Sequence, residues 1–215
     1  MASGSGYRHS CAVSRDKETA PGRRRADDSR RAILDAATEE LIEAGADRAS
    51  LRSIARRVGM SHQAVAYHFQ DRRAVMTGVA IDGWDRLVER TVEALGNVPA
   101  DAPASESPIA IGATYVRFAR ENPALFPWMI SSAQAEGADP ELIKSGFRIW
   151  QMLQEAVTRA KTTGWGGDLD PFNLTLLCWS IVHGLATLDR FVPQDTSLED
   201  LLRTLGRAII QPAPE

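Results

Sequence analysis

The 215-residue sequence predicts an all-α fold of about nine helices, with an N-terminal three-helix helix-turn-helix domain followed by a larger helical domain. Apolar residues recur at spacings of three and four along most of the chain, and no run alternates with period two for long enough to indicate a sheet. Most periodic runs are preceded by Ser, Asp or an Asn-Pro pair and followed by Gly or Pro, which is typical of helix ends. A hydrophobic fraction of 44% is sufficient for a packed core.

Composition divides the chain into three parts. Residues 1–26 are polar, rich in Gly, Ser and Arg, and lack an apolar period, which predicts a disordered basic extension. Residues 27–73 hold the short helices of the helix-turn-helix domain, and residues 74–215 hold the longer helices.

Capping residues mark the helix starts in the first half of the chain. In the first helix Ile33, Ala37 and Leu41 recur at fours, and Gly45 ends the run. The four helices predicted here cover residues 27–44, 51–58 after a Ser50 cap, 62–69 after a Ser61 cap, and 72–96 after an Asp71 cap.

The helical period resumes after the Pro-rich stretch "NVPADAPASESP". Asn122 followed by Pro123 is typical of an N-cap and a first-turn proline, and so predicts the start of a short helix. The other helices of this part are predicted to cover residues 108–121, residues 139–163 before the terminator "TGWGG", residues 171–191 after Asp170, and a last segment that Ser197 caps.

The stretch "SLRSIARRVGMSHQAVAYHF" at residues 50–69 contains two short amphipathic runs separated by "VGMS". Either run alone is too short to form a stable helix in water. Ala55 is small enough for a close helix contact and Gly59 accepts a positive φ in the turn, so together they predict a helix-turn-helix. Its apolar seam is predicted to consist of Ile54, Val58 and Val65 packed on Ile33, Ala37 and Leu41.

The face of the third helix opposite that seam is polar. Gln pairs with adenine, and Ser, His and Tyr reach base edges or phosphates, so this face predicts insertion into a DNA groove. The alternative is a compact three-helix unit with a solvated Arg-rich face. Candidate DNA-binding residues are Ser61, His62, Gln63, Tyr67 and His68 on the third helix, Ser50 and Arg52 on the second, Arg72 and Arg73 on the fourth, and Arg30 and Arg31 on the first.

Charge is distributed unevenly along the chain. Residues 23–73 carry 11 Arg and 8 acidic residues, a net charge of +3, whereas residues 74–215 carry a net charge of −7. Such asymmetry indicates that one part of the chain contacts a polyanion. The run Arg23, Arg24 and Arg25 is compatible both with an arm lying along DNA phosphates and with a solvated tail.

Several classes of protein are not indicated by the sequence. The apolar runs are too short to cross a bilayer and no apolar block resembles a secretory signal, so we expect a cytoplasmic protein. Cys11 and Cys178 lie far apart without the spacing of a zinc site, which predicts free thiols and neither metal nor cofactor. No Ser/His/Asp or Cys/His arrangement indicates catalysis, so no enzymatic activity is predicted.

The stretch "RRAILDAATEELIEAGADRASLRSIARRVGMSHQAVAYHFQDRRAVMTGVA" resembles the N-terminal DNA-binding domain of the TetR family of transcriptional repressors. The resemblance includes the "HF" that ends the recognition helix. It implies an all-helical homodimer that represses genes until a small molecule in the C-terminal domain moves the two recognition helices. One departure is that the family most often has an aromatic residue where this chain has Ala66, and here Tyr67 follows one place later.

Two further stretches, "YVRFARENPALFPWMI" and "LLCWSIVHGLATL", resemble TetR-like C-terminal domains that carry a Trp, His, Gly pattern, with Trp179, His183 and Gly184 in the matching places. The resemblance implies a dimer in which the last two helices of each subunit form a four-helix bundle, and apolar stripes on both helices agree with it. The predicted dimer residues are Leu177, Ile181, Leu185, Leu188, Leu198, Leu202, Leu205 and Ile209.

An effector pocket in the larger domain would lie among its central helices and be mostly apolar. Aromatic residues are numerous there, which favours a hydrophobic effector, although each of them is also compatible with ordinary core packing. The candidate ligand-binding residues are Phe118, Phe126, Trp128, Met129, Trp150, Trp179 and His183.

These observations predict a ligand-responsive DNA-binding regulator. Its predicted partners are a pseudo-palindromic DNA operator, a small-molecule effector and a second copy of the chain, with no membrane contact. Repression follows from the resemblance. The alternative is a helical ligand-binding or interaction protein without specific DNA binding, and a steep salt dependence of duplex DNA affinity would separate the two.

Overall fold

The computed structural model describes residues 21–188, 195 and 197–207, and within these ranges it contains nine helices and no strand. The predicted all-α fold is therefore confirmed. The helices are α1 Pro21–Ala44, α2 Leu51–Arg57, α3 His62–His68, α4 Arg72–Gly96, α5 Glu106–Glu121, α6 Leu125–Gln134, α7 Pro140–Lys161, α8 Pro171–Thr187 and α9 Leu198–Leu205.

Side-chain caps fix five of the helix starts where the sequence predicts them. In each case a side-chain oxygen accepts a hydrogen bond from a backbone N–H of the first turn, which has no partner within the helix. The capping residues are Ser50 for α2, Ser61 for α3, Asp71 for α4, Asp170 for α8 and Ser197 for α9.

Helix α1 begins at Pro21, six residues before the predicted start, so the prediction of a disordered extension is wrong for residues 21–26. A proline is favourable in the first turn of a helix, and the Arg and Ala residues that follow are good helix formers. Residues 1–20 lie outside the described residues, and so do the predicted helix end at Phe191 and the dimer residue Ile209.

Asn122 does not cap α6 as predicted. It ends α5 instead, because its side-chain Nδ2 donates a hydrogen bond to the Phe118 carbonyl oxygen at 2.9 Å. Helix α6 then begins at Leu125, after an Ala124 cap that offers no side-chain acceptor. Pro127 lies in the first turn of α6, where no backbone N–H is required.

Helix α4 lies at the centre of the molecule, since it packs against α1 on one side and against α5, α6 and α7 on the other. Its buried side chains, among them Val75, Val79 and Leu87, belong to one core that continues from the helix-turn-helix into the larger domain. Near the middle of α4, the indole of Trp84 would lie 3.2 Å from a Cβ at Gly146, so α4 and α7 approach closely. A displacement of α4 would therefore reach both domains.

Within the described ranges, no helix is long and apolar enough to span a membrane.

Candidate functional site

The turn between α2 and α3 has the backbone geometry that the sequence predicts. Gly59 adopts a φ of +67°, in the left-handed region that glycine tolerates best. The backbone N–H of Met60 donates to the Ala55 carbonyl oxygen at 2.9 Å, which ties the turn back to α2. Of the predicted seam, Ile33, Ala37, Leu41, Ile54 and Val65 are buried and Val58 is half-buried. The helix-turn-helix is thus held by a continuous apolar seam.

The opposite face of α3 is exposed to solvent. Ser61, His62, Gln63 and Ala66 are exposed, and 85% of Tyr67 is accessible. The Tyr67 ring and hydroxyl are thus accessible to a partner. The face therefore combines hydrogen-bonding groups and a ring on a rigid helix, which is the arrangement that a DNA groove requires.

His68 is half-buried and its ring contacts that of Tyr67 edge to face, with the centroids 5.3 Å apart. This contact restrains the Tyr67 ring at the end of the exposed face. Ser50 and Ser61 use their hydroxyl oxygens as caps of α2 and α3, whereas Arg52 projects into solvent. Of these residues, Arg52 is free to approach a phosphate.

Arginine side chains around the helix-turn-helix have distinct partners. The guanidinium of Arg30 lies over the Phe69 ring at 4.8 Å, a cation–π contact. Arg31 donates to Asp82 on α4 at 2.7 Å. Arg73 is exposed and donates to the Gly137 carbonyl oxygen at 2.8 Å.

Arg72, a predicted DNA contact, has partners within its own chain. It is half-buried, and its guanidinium donates to the carbonyl oxygens of Ala46 and Ala49 in the loop between α1 and α2. Arg72 therefore fastens the start of α4 to the helix-turn-helix.

Arg57 is a structural residue of this domain that the sequence interpretation did not single out. Its guanidinium donates to Glu39, Glu40 and Glu43 on α1, at distances between 2.6 and 3.1 Å. Hydrogen bonds from Ser53 and from Arg57 lower the pKa of Glu40, and those from Arg57 lower the pKa of Glu43. The closely spaced glutamates of α1 were the signal available in the sequence.

In the larger domain, an aromatic cluster surrounds His183. The Tyr115 hydroxyl and His183 Nδ1 are 3.0 Å apart, within hydrogen-bonding distance. The Trp179 ring stacks on the imidazole with an interplanar angle of 7°, and Phe126 contacts both Tyr115 and His183. Burial raises the pKa of Tyr115 and lowers that of His183, so a neutral pair is favoured.

The seven predicted ligand-binding residues do not surround one cavity. Phe118, Phe126 and Met129 are buried in the core, while the other four are half-buried. Trp128 borders a cavity of about 290 Å³ between α4, α6 and α7, and its Nε1 donates to the Met76 carbonyl oxygen. The remaining six line neither this cavity nor the one described next.

A second cavity, of about 230 Å³, lies between α5, α8 and α9. Apolar side chains from all three helices line most of it, and Glu106, Arg203 and Arg207 lie at one end. Cys178 also borders it, and burial raises the pKa of this thiol to about 12. A thiol of this kind is scarcely ionised near neutral pH and is a poor redox sensor.

The predicted dimer residues fall into two groups. Leu198 and Leu202 are buried within their own chain, where α9 packs against α5, so their assignment to a dimer surface is wrong. Leu177, Ile181, Leu185 and Leu205 are half-buried and Leu188 is 54% exposed. The exposed face of α8 instead carries Leu176, Ser180, Gly184 and Leu188 at intervals of four, and we call it the α8 stripe.

A helix-turn-helix joined through a shared helix to a larger helical domain is the architecture of a DNA-binding regulator. Two family models match the chain: "Bacterial regulatory proteins, tetR family" over residues 33–78, and "Tetracyclin repressor-like, C-terminal domain" over residues 109–209. The chain belongs to the TetR family of transcriptional regulators. The second match includes Trp179, His183 and Gly184.

Solved structures share the fold. A protein of unknown function from Rhodococcus sp. RHA1 is 28% identical with a TM-score of 0.74, and the match covers 85% of this chain and 95% of that one. A putative regulator from Saccharomonospora viridis in complex with choline is 17% identical, with a TM-score of 0.68 and coverages of 86% and 96%. FadR from Bacillus subtilis in complex with stearoyl-CoA is 16% identical, with a TM-score of 0.64 and coverages of 86% and 99%. No curated protein sequence matches the chain.

Proposed function

We propose that this protein is a one-component transcriptional repressor, which binds a pseudo-palindromic operator as a homodimer and leaves it when a small hydrophobic effector binds. The observation that carries the proposal is the exposed polar face of α3, with Gln63 and Tyr67 opposite the apolar seam that holds the helix-turn-helix together. Membership of the TetR family supports the same function.

In the proposed complex, α3 lies in the major groove. Gln63 and His62 are placed to read base edges, and Tyr67 contacts a base or the adjacent phosphate. Arg52 and Arg73 contact the backbone on either side of the groove and set the register of the helix without selecting sequence. Two such helices, related by a two-fold axis, match the two half-sites of a palindrome.

Effector binding reaches the DNA through α4. This helix packs against α5, α6 and α7 of the larger domain, and Arg72 at its start holds the loop between α1 and α2. A shift of α4 thus moves the helix-turn-helix as a unit. Solved structures of the same fold hold ligands as unlike as choline and stearoyl-CoA, so the fold accommodates varied effectors.

The experiment that tests this function is fluorescence anisotropy of the full chain with a duplex from the DNA beside its own gene, against a scrambled duplex, at two salt concentrations. We expect tight, sequence-preferring and salt-sensitive binding. The double substitution Gln63→Ala with Tyr67→Ala removes an exposed base reader and an exposed ring, and should weaken binding by at least about tenfold.

Gln134→Ala is the matched control, because Gln134 is also an exposed glutamine but lies at the end of α6, outside the helix-turn-helix. It should leave the affinity unchanged. Equal, weak binding of the specific and scrambled duplexes, unaffected by the double substitution, would favour the alternative of an interaction protein without specific DNA binding.

A further inference from the structure

The cavity between α5, α8 and α9 has the composition of a site for an amphipathic molecule. Its walls are mainly apolar, and its polar groups are gathered at the end where α5 begins and α9 ends. A cavity with one apolar end and one charged end selects a ligand with the same division. The apolar lining residues are Pro108, Ile109, Trp165, Cys178, Ile181, Val182, Leu202 and Leu205.

The two arginines at the polar end differ in their partners. Arg203 makes a bidentate ion pair with Glu106, at 3.0 and 2.7 Å, and donates to Asp200 at 2.9 Å. All three of its guanidinium nitrogens are therefore used. Arg207 makes a single contact of 3.4 Å with the Thr204 hydroxyl among the described residues, and no carboxylate faces it there. Arg207 is thus the cation at this end that is able to receive an anionic group.

We propose that this cavity is the effector site of the regulator and that it binds an apolar monocarboxylate, with the carboxylate on Arg207 and the tail between Ile109 and Val182. That the bound molecule acts as an effector rests on the proposed function. Its binding in this cavity does not depend on DNA recognition. Among the described residues no carboxylate neutralises Arg207, so one cation there matches one carboxylate of a ligand and disfavours a cationic one.

The floor of this cavity couples it to α8. A Cβ at Gly112 of α5 would lie 2.7 Å from Val182 Cγ1 and 3.2 Å from Leu202 Cδ1, so α5, α8 and α9 meet there without free space. A ligand tail that extends from the cavity to this contact would therefore have to separate the helices there. Because α8 also carries the α8 stripe, such a movement changes the surface proposed for dimerisation.

The test is isothermal titration calorimetry of the full chain with octanoate and with 1-octanol, which share a tail length but differ in charge. We expect one octanoate per chain, bound at least about tenfold more tightly than octanol. Arg207→Gln should remove the difference between the two ligands, and Ile109→Trp, which fills the cavity, should abolish both titrations. Arg159→Gln alters an exposed arginine on α7 and should change nothing.

Equal affinity for the two ligands, or octanoate binding that persists in Ile109→Trp, would overturn the proposal. Dissociation of a dimer by Ile109→Trp would mean that a second copy fills the cavity, and would overturn it too.

Operator binding measured on the same samples separates this inference from the proposed function. Octanoate binding without operator binding would support the site and refute the repressor function. Operator binding without octanoate binding would refute the site alone.

Discussion

Two consecutive arginines at the start of α4 have different tasks. Arg72 is half-buried and donates to the carbonyl oxygens of Ala46 and Ala49, whereas Arg73 is exposed and reaches Gly137. Arg72→Gln would leave those carbonyls without their charged donor, and we expect the free energy of unfolding to fall by about 1–3 kcal/mol. Urea denaturation followed by circular dichroism measures this change.

Arg73→Gln is the neighbouring control, and it should change the unfolding free energy by no more than about 0.5 kcal/mol, because surface substitutions seldom do more. The same substitution should weaken operator binding and reduce its salt dependence. Equal loss of stability in the two variants would contradict the assignment of Arg72 to the domain junction.

Protonation of His183 makes the free energy of unfolding fall as the pH falls. Burial holds the folded-state pKa of His183 below its ordinary value of 6.5, so below that pH the unfolded chain binds a proton that the folded chain resists. Stability is therefore fully present above the unfolded pKa and is lost as the pH falls from about 7.5 to about 5.5. Unfolding free energies across this range should show a steeper loss in the natural protein than in His183→Gln. Parallel curves would mean that another group is responsible.

Gly59 allows the turn that joins α2 and α3 in the helix-turn-helix. Its φ of +67° is unfavourable for a residue with a Cβ, although no atom of the described residues beyond its chain neighbours lies within 4 Å of where that Cβ would be. Gly59→Ala should therefore cost about 1–2 kcal/mol of unfolding free energy through the backbone alone. Gly96, the last residue of α4, is likewise free of neighbours but has no positive φ.

Gly96→Ala is accordingly the control, and it should leave stability unchanged or raise it by up to about 1 kcal/mol. Both variants are measured by urea denaturation. If they destabilise the protein equally, the left-handed turn is not what Gly59 provides.

Helix starts were predictable from the sequence wherever a side chain supplied the cap. Ser50, Ser61, Asp71 and Ser197 act over three residues, so their effect is local and visible in the sequence. Asn122 was misassigned because an asparagine side chain can hydrogen-bond either to the helix before it or to the helix after it. Here it donates to the Phe118 carbonyl oxygen of the preceding helix, α5.

The roles of residues that are set by contacts between helices distant in sequence were not predictable in the same way. The buried seam of the helix-turn-helix followed from its period, yet the period does not say whether Leu202 faces its own chain or a partner. Packing of α9 on α5 settles this, since Leu202 approaches Gly112 there. The predicted effector-binding residues stay a prediction, because aromatic residues at helical spacing are equally compatible with core packing and with the wall of a cavity.

At the scale of the whole molecule, we propose the α8 stripe as the surface that a second copy covers. Leu176 is 45% exposed and Leu188 is 54% exposed, while Ser180 and Gly184 between them are small. Among the described residues, no atom outside the helix lies within 4 Å of a Cβ at Gly184. Small residues flanked by exposed leucines allow two α8 helices to cross closely and bury apolar surface.

We therefore expect Leu176→Arg with Ser180→Arg to convert the dimer to a monomer, because four arginines would meet at the two-fold axis. Sedimentation velocity gives the mass. Operator affinity should fall by at least about 100-fold as the two half-sites lose their linkage, while affinity for a single half-site stays the same. Ile143→Arg, at a residue of α7 that is 51% exposed, should remain dimeric. A dimer that survives the double substitution would place the interface on another face, and α8 would then move freely when the cavity beneath it fills.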